Sequence, residues 1–323
     1  MNPRPLGSTG LDVAPVGFGC WQLGGDGWGT LSARAVQEAI LRAIDLGLNV
    51  FDTAPIYGFG QSEDLLGRTL SGRSEGVVVV SKVGLVWDHR KVVRHNHRPE
   101  SLRTQLEGSL QRLRREPLDL LLLHWPDPTV LLDDSVAVLD SLRSQGKIRA
   151  WGLSNFPAAD VTRIRRPDVV LEYPSNALKL YAQESRAAAS AGEELLGALD
   201  STATGFMAYD VLARGLLGGR YTEAKKFGKR DLRSRDDRFS AAAFPGNLQR
   251  ARRISELARK LGTPPAALAI RAVLERAGVG CALVGFKTST QVEEAAEAVS
   301  IQMTEATRAT MKAIEDNEAI NSV

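Results

Sequence analysis

The sequence has little of what secreted, membrane-spanning or nucleic-acid-binding proteins need. Its two cysteines, Cys20 and Cys281, are too few for a disulfide framework. Apolar runs such as residues 77–80 and 120–123 fall far short of the roughly 20 residues that cross a bilayer. The 41 Lys and Arg residues nearly balance 38 Asp and Glu, for a net charge of +3, so nucleic acid is a poor first candidate as a partner. Residues 1–4 lack the apolar start of a secretory signal, and we expect a cytoplasmic protein with no membrane segment.

Eight short β-rich runs recur along the chain, separated by stretches with helical periodicity. The runs cover residues 13–18, 48–51, 77–80, 118–123, 148–153, 169–171, 206–208 and 281–284. Between two of them, leucines recur every three or four residues from position 102 to 113, which is one helix face. Ser32 and Gly47 bracket another helix as N-cap and C′ residues. Strand–helix alternation without a composition break predicts a single (β/α)8 barrel, a TIM barrel, over residues 1–323.

Two segments depart from this regular alternation. Residues 210–245 follow the seventh strand without helical or strand periodicity, so we expect a long loop there. Residues 303–318 follow the eighth helix and predict an additional C-terminal helix.

Polar side chains end several of the predicted strands. Asp52 ends the second strand, Lys82 follows the third and His124 follows the fourth. Tyr57 lies five residues after Asp52, on the loop to the next helix. In a barrel of this kind the carboxyl ends of the strands meet at one rim, where reacting groups project. Any one of these residues could be satisfied by local backbone, but four at one rim favour a functional site.

This set of side chains suits proton transfer to a carbonyl oxygen. A free tyrosine has a pKa of about 10 and is a weak acid at neutral pH. A lysine cation stabilises the phenolate, and Asp52 would keep Lys82 charged and oriented. His124 can hydrogen-bond the substrate oxygen and share in the proton transfer. Because none of these groups supplies an electron pair for reduction, a hydride-donating cofactor is implied.

Several motifs resemble those of the aldo-keto reductases. Residues 47–63, GLNVFDTAPIYGFGQSE, resemble the family's first signature, and VSKV at 80–83 and LHWP at 123–126 match its third- and fourth-strand motifs. The match continues through GLSNF at 152–156, AY at 208–209, RGLLGGRY at 214–221 and VGFK at 284–287. The resemblance spans residues 5–298, and the order and spacing of the motifs make it specific.

The resemblance implies a barrel enzyme that reversibly reduces an aldehyde or ketone to the alcohol with NADPH. Tyr57 resembles the general acid, Lys82 and Asp52 the pair that tunes it, and His124 the group that orients the carbonyl. The implied cofactor contacts, running from the nicotinamide carboxamide through the ring to the adenosine phosphate and adenine, are Ser154, Asn155, Glu172, Tyr209, Leu212, Gly285, Lys287, Thr288, Gln291 and Glu294.

Cofactor choice and cofactor binding can also be considered from the residues themselves. Lys287 favours NADPH over NADH, because a cation pairs well with the additional phosphate. The sequence has no GxGxxG fingerprint, since Gly17 and Gly19 are followed by Gln22 where the third glycine would stand. This disfavours a Rossmann domain. The basic loop at 210–245 could close over the pyrophosphate or could be a mobile, solvated excursion.

Two residues depart from the family pattern. Glu172 stands where the family usually has glutamine against the nicotinamide carboxamide, and a carboxylate can accept a hydrogen bond there but cannot donate one. Asp210 follows Tyr209 where the family commonly has serine, and an acidic side chain beside a pyrophosphate would repel it unless paired. We therefore expect altered cofactor handling with retained chemistry.

Tryptophans follow several strand ends. We expect Trp21, Trp87 and Trp125 to line the mouth of the barrel and bind substrate, and Trp28 to pack on the rim. Aromatic walls suit an apolar, aromatic or sugar-linked carbonyl compound. The substrate is therefore expected to be larger than a short-chain aldehyde.

Two other functions remain open. His95 and His97 could form a metal-binding pair with His124 and Asp52, as in a metal-dependent hydrolase, although flanking arginines oppose a dication. The family also includes non-catalytic nucleotide-binding accessory proteins. The sequence leaves the oligomeric state open and predicts no metal and no partner other than a small-molecule carbonyl substrate and the cofactor.

Overall fold

Eight parallel strands close into a barrel in which each strand pairs with the next along the chain and the eighth pairs with the first. The computed structural model describes residues 1–25, 27–29, 31–73, 75–164, 166, 168–198, 203–223 and 225–317. The strands are β1 Val16–Gly19, β2 Val50–Asp52, β3 Val78–Val83, β4 Leu118–Leu123, β5 Ile148–Ser154, β6 Val170–Pro174, β7 Gly205–Tyr209 and β8 Val279–Gly285. The predicted TIM barrel is confirmed, and every predicted run contributes to a strand.

The helices cover the outside of the barrel. They are α1 Ala33–Asp45, α2 Gln61–Thr69, α3 Pro99–Leu113, α4 Leu132–Ser144, α5 Ala158–Ile164, α6 Arg186–Ala198, α7 Phe244–Lys260, α8 Pro265–Leu274, α9 Ser289–Ala296 and α10 Glu305–Glu315. The Ser32 side chain caps α1 by accepting from Ala35 N, as predicted. The predicted C-terminal helix is α10; Glu318, the predicted end, lies outside the described residues.

The amino end of the barrel is closed by its own N-terminal segment. Arg4–Pro5 and Asp12–Val13 form a short antiparallel hairpin. Its buried Leu6 and Leu11 join the apolar cluster contributed by the inward-facing residues of the strands. Since the hairpin packs this end with side chains, the interior of the barrel is open toward the carboxyl ends of the strands.

The segment after β7 is more ordered than its sequence suggested. It contains three short 3-10 turns, Ala213–Gly218, Leu232–Ser234 and Asp237–Phe239, before α7 begins. Pro245, the predicted end of the loop, therefore lies in the first turn of α7, a position that tolerates its missing N–H.

Two smaller features bear on the sequence-based expectations. Cys20 and Cys281 are both buried and free, so they form no disulfide with each other. None of the described helices has the length and apolar character needed to span a membrane.

Candidate active site

A cavity of about 630 Å³ opens at the carboxyl ends of the strands. Most of the residues that the sequence assigned to chemistry and cofactor binding line it. The lining includes Trp21, Asp52, Tyr57, His124, Trp125, Asn155, Glu172, Tyr209, Leu212, Arg220, Arg233, Gly285, Lys287, Gln291 and Glu294.

The floor of the cavity is organised around Lys82, which is fully buried. Its Nζ donates to Asp52 Oδ1 at 2.7 Å and Oδ2 at 2.6 Å, and to Thr53 O at 3.1 Å. Burial opposes the charge on Lys82, but the carboxyl groups of Asp52 and Glu172 outweigh burial and raise the pKa of the ammonium group. Lys82 is therefore a permanent cation at neutral pH.

Tyr57 and His124 lie above this pair. Lys82 Nζ is 5.3 Å from the centroid of the Tyr57 ring, and the Tyr57 and His124 ring centroids are 5.9 Å apart, edge to face. His124 N donates to Val83 O at 2.9 Å, which fixes the histidine beside the end of β3. The structure thus brings together all four residues of the predicted catalytic set.

Both aromatic groups are uncharged in this environment. Burial raises the pKa of the Tyr57 hydroxyl and outweighs the opposing attraction of Lys82, and the nearby carboxyl groups of Asp52 and Glu172 act in the same direction as burial. The sequence-based argument considered only the lysine. Burial, reinforced by Lys82, lowers the pKa of His124 well below its usual value. Tyr57 is consequently a phenol and His124 a neutral imidazole at physiological pH.

Glu172 on β6 lies against the Lys82–Asp52 pair. Its Oε1 is 3.5 Å from Lys82 Nζ, while its Oε2 is buried with no hydrogen-bond partner among the described residues. Burial and repulsion from Asp52 raise the pKa of the Glu172 carboxyl to about 8, and Lys82 opposes the shift. The raised pKa favours the protonated carboxyl at neutral pH, and in that form Glu172 can donate a hydrogen bond, which the sequence-based argument about an acceptor-only carboxylate did not consider.

A chain of hydrogen bonds connects β7 to the backbone of His124. Tyr209 Oη donates to Asn155 Oδ1 at 2.7 Å, and Asn155 Nδ2 donates to His124 O at 3.0 Å. Asn155 has φ of 67°, a left-handed conformation that asparagine tolerates. Ser154 does not reach the cavity: it is fully buried and donates to Glu172 O at 3.2 Å. The Ser154 hydroxyl also accepts from Asn155 Nδ2 at 2.9 Å, so it connects Asn155 with Glu172; its predicted contact with the cofactor stays a prediction.

The acidic residue after Tyr209 is paired, which resolves the expected repulsion. Asp210 Oδ2 accepts from Arg238 Nη1 at 2.6 Å, and Asp210 Oδ1 accepts from Arg214 N at 3.1 Å. Asp236 accepts from both Arg214 and Arg238. These bonds turn Asp210 toward its own segment and hold the start of the segment in place.

The opposite end of the cavity is cationic. Lys287 Nζ donates to Trp28 O at 2.6 Å, and Lys287 N donates to Gln291 Oε1 at 2.7 Å. Burial and the neighbouring Arg233 and Lys225 lower the pKa of the Lys287 ammonium. An anion bound here would relieve this repulsion between like charges.

Glu294, predicted at the adenine end, and Thr288, predicted at the adenosine phosphate, already have partners within the protein. Glu294 accepts from Arg220 at 2.6 Å. Thr288 is exposed, is not among the residues lining the cavity, and caps α9 by accepting from Gln291 N at 3.4 Å. The cap leaves the Thr288 side chain beside Lys287 rather than on the cavity wall.

The predicted tryptophans divide into two groups. Trp21 lies over Tyr57 with ring centroids 6.2 Å apart, and Trp125 also lines the cavity. Trp87 is not part of the described lining; it sits in a hairpin formed by Leu85–Trp87 and Val93–His95 and packs edge-on against Phe59. Trp87 thus lies away from the cavity wall, because the hairpin, which the sequence did not predict, carries it there, and its assignment to substrate binding stays a prediction without support from this geometry.

The lining also includes residues that the sequence analysis did not assign to the site, among them Trp28, Arg233 and Arg220. Trp28, expected to pack on the rim, lines the cavity and meets Trp21 edge to face at 5.2 Å. Arg233 places its guanidinium 5.8 Å from the Trp28 ring centroid, and Arg220 also lines the wall. The excess of basic residues at 225–238 was the available signal for Arg233, but it could not single out one arginine.

The metal-site alternative has no support in the geometry. His95 is exposed and His97 is buried, with His97 Nδ1 3.3 Å from Ser135 Oγ. Within the described ranges, no group of three or more His, Cys, Asp or Glu residues is placed to hold a metal ion.

Comparisons with known proteins give a consistent picture. A sequence model of the Aldo/keto reductase family matches residues 15–316. Aldo-keto reductase YhdN of Bacillus subtilis is 33% identical over 302 residues, 92% of this chain and 88% of that protein. An NADH-specific methylglyoxal reductase of Escherichia coli is 38% identical over 173 residues, about half of each chain. The structure of the glycerol dehydrogenase AKR11B4 from Gluconobacter oxydans superposes with a TM-score of 0.86 at 31% identity, covering 100% of this chain and 97% of that one.

The raised pKa of Glu172 makes protein stability depend on pH. The folded state binds this proton more tightly than the unfolded state, whose carboxyl has a pKa near 4.5. The free energy of unfolding should therefore fall as pH rises from about 4.5 through about 8. Glu172→Gln removes this dependence, so its stability relative to the wild type should increase over that range, by an amount on the order of a few kcal/mol.

Equilibrium denaturation in urea at several pH values measures this difference. Glu38→Gln, at an exposed glutamate paired with Arg34, is the matched control and should follow the wild-type profile. Parallel profiles for Glu172→Gln and the wild type would show that Glu172 has the same proton affinity in both states.

Proposed function

Because the chain belongs to the aldo/keto reductase family, a family of oxidoreductases acting on carbonyl compounds, we propose that it reduces an aldehyde or ketone to the alcohol, reversibly, with NADPH. The observation that carries the proposal is the buried Lys82–Asp52 pair beneath Tyr57 and His124. Tyr57 is the proton donor in this proposal, and the substrate carbonyl lies between Tyr57 and His124.

Each residue of the floor has a distinct task in this reaction. The neutral His124 donates a hydrogen bond to the carbonyl oxygen and polarises it. Tyr57 donates its proton to the same oxygen as negative charge develops there. Lys82 stabilises the resulting phenolate, while Asp52 keeps the ammonium group oriented. In the reverse direction the same phenolate accepts the proton of the alcohol.

The residues along the cavity fit a nicotinamide dinucleotide. When bound, that cofactor supplies the hydride that the protein's own side chains lack. The orphaned Glu172 Oε2 and the amide of Asn155 offer polar contacts at the floor, beside Tyr57. Arg220, Arg233 and Lys287 line the far end and suit phosphate groups.

Preference for NADPH rests on Lys287. Burial and the nearby cations Arg233 and Lys225 lower the pKa of its ammonium group. A phosphate dianion bound beside Lys287 would stabilise the charged ammonium and would itself be bound more tightly. The Escherichia coli relative described as NADH-specific aligns with only about half of this chain. NADPH is therefore the proposed cofactor, with NADH as the competing one.

The aromatic wall favours a bulky, aromatic or sugar-linked carbonyl substrate. Trp21 is 39% exposed and lies directly over Tyr57, and it packs against Trp28. An aromatic or sugar face placed there would be held next to the proton donor. A two-carbon aldehyde would leave this surface uncovered.

Removing the proton donor tests the chemistry. Tyr57→Phe should lower kcat by about 10²- to 10⁴-fold, the range that a positioned general acid contributes. The dissociation constant of NADPH should change little. NADPH consumption with a panel of carbonyl compounds measures the first quantity, and fluorescence titration measures the second.

Tyr181→Phe is the matched control, because Tyr181 is not among the described lining residues and its hydroxyl donates to Glu193 at 3.4 Å. It should retain wild-type turnover. Equal NADPH consumption by the wild type and Tyr57→Phe would rule out Tyr57 as the acid.

Neutralising Lys287 tests the cofactor preference. Lys287→Gln should weaken NADPH binding by about ten- to a hundredfold, the value of one charge-assisted hydrogen bond, and leave NADH binding nearly unchanged. Lys226→Gln, an exposed lysine of the same basic segment, is the control and should bind both as the wild type does. An equal loss for the two cofactors would contradict recognition of the additional phosphate by Lys287.

Truncating Trp21 tests the substrate class. In Trp21→Ala, kcat/KM should fall about tenfold or more for bulky aromatic ketones and much less for acetaldehyde, since burying an aromatic face contributes roughly 1.5–3 kcal/mol. Trp87→Ala, outside the cavity lining, should change neither. Comparable turnover of acetaldehyde and bulky ketones by the wild type would refute the proposed size preference.

A further inference from the structure

Glu172 brings a second carboxyl group to a lysine that is already paired. The three short contacts of Lys82 Nζ are to Asp52 Oδ1, Asp52 Oδ2 and Thr53 O, at 2.6–3.1 Å. Glu172 Oε1 is farther away, at 3.5 Å. With Asp52 matching the ammonium charge, an ionised Glu172 would add one uncompensated negative charge to a buried floor.

The residues beside Glu172 on the two adjoining strands contribute no charge that could compensate an ionised Glu172. In register with it are Ser154 on β5 and Met207 on β7, neither of which carries charge. Within the described part of the chain, charge interactions with Glu172 involve five titratable groups: Asp52 from β2, Tyr57 from the following loop, Lys82 from β3, Tyr209 from β7 and Cys281 from β8.

Of these groups, only Lys82 is cationic, and Asp52 neutralises it. Burial raises the pKa of the Tyr209 hydroxyl and of the Cys281 thiol above their usual values, so both stay neutral. The floor therefore has no net charge when Glu172 is protonated and a net charge of −1 when it is ionised.

The ring that carries the hydride changes charge during the proposed reaction. A nicotinamide is neutral when reduced and cationic when oxidised, and it must lie near Tyr57 for hydride and proton to reach the same carbonyl group. Glu172 lines the same floor. A unit charge on Glu172, close to the ring in a partly buried site, would change the dissociation constant of the cofactor by well over a factor of ten.

We propose that Glu172 is a proton-dependent selector of cofactor redox state: protonated, it favours the neutral reduced ring, and ionised, it favours the cationic oxidised ring. This inference rests on the proposed function, since it requires a nicotinamide in the cavity. On the enzyme, it favours the bound reduced cofactor in neutral solution and the bound oxidised cofactor in alkaline solution, while the equilibrium constant of the overall reaction in solution is unchanged.

The position of this switch follows from the proton affinity of the site. Since the pKa of Glu172 is raised to about 8, Glu172 is mostly protonated at about pH 7 and mostly ionised at about pH 9. In the wild type, the ratio of the dissociation constants for NADP⁺ and NADPH should fall about tenfold between these two pH values.

The experiment measures both dissociation constants by quenching of tryptophan fluorescence, with no turnover required. Glu172→Gln keeps the shape of the protonated side chain but cannot ionise, so its ratio should change by less than about twofold over the same range. Glu184→Gln is the matched control, because Glu184 also lines the cavity but is exposed and paired with Arg214. It should show the wild-type shift.

The possible outcomes distinguish the inference about Glu172 from the proposed function. A shift in Glu172→Gln as large as in the wild type would overturn the inference and leave the proposed function standing. Failure of both proteins to bind either cofactor would overturn the proposed function together with the inference. A flat ratio in Glu172→Gln with a shift in the wild type and in Glu184→Gln supports the selector. The denaturation profiles described above establish independently that Glu172→Gln folds.

Discussion

The ion pair between Lys82 and Asp52 is the interaction on which the rest of the site depends. A fully buried ammonium group without a partner would be destabilising by several kcal/mol, and the barrel supplies that partner from the adjacent strand. Pairing of β2 with β3 sets Asp52 opposite Val80, two residues before Lys82. The cation is therefore fixed by backbone register. Burial favours the neutral forms of Tyr57, His124 and Glu172 around it; Lys82 adds to this effect at His124 and opposes it at Tyr57 and Glu172.

In the segment after β7, at the entrance of the cavity, buried charges are likewise paired with groups of opposite charge. Its acidic residues Asp210 and Asp236 are matched by Arg214 and Arg238, so the segment brings little excess charge to the floor. Farther along, Leu232 N donates to Gly27 O at 2.9 Å, which connects the segment to the loop after β1. The internal ion pairs thus give shape to a sequence without periodicity, and the contact at Gly27 positions the basic residues of the segment over the cationic end of the cavity.

Local patterns were sufficient to predict the barrel, because eight apolar runs and the intervening helical periodicity are properties of neighbouring residues. The same holds for Asp52, Lys82 and His124, which a parallel barrel must bring to one rim. The fates of Trp87, Ser154 and Thr288 could not be predicted in this way. Trp87 depends on a hairpin whose strands are too short to give a period. Ser154 forms a hydrogen bond that depends on the exact approach of β6. Thr288 caps α9 through a local hydrogen bond, but its distance from the cavity wall depends on where α9 packs. The raised pKa of Glu172 could not be predicted from local sequence either, because it depends on burial and on charged groups of β2 and β3 that the barrel brings to β6.

The distribution of charge along the cavity also determines how a dinucleotide can enter it. The floor around Asp52 and Glu172 offers no net positive charge, whereas Arg220, Arg233 and Lys287 concentrate cations at the far end. A ligand with an uncharged ring at one end and phosphates at the other is therefore favoured in one orientation, since the reverse would leave its phosphates without a cationic partner and the cations of the far end unpaired. Orientation and chemistry thus have a common origin, because the Asp52 carboxylate that holds Lys82 also cancels its charge, and the floor then offers no net cation to a phosphate.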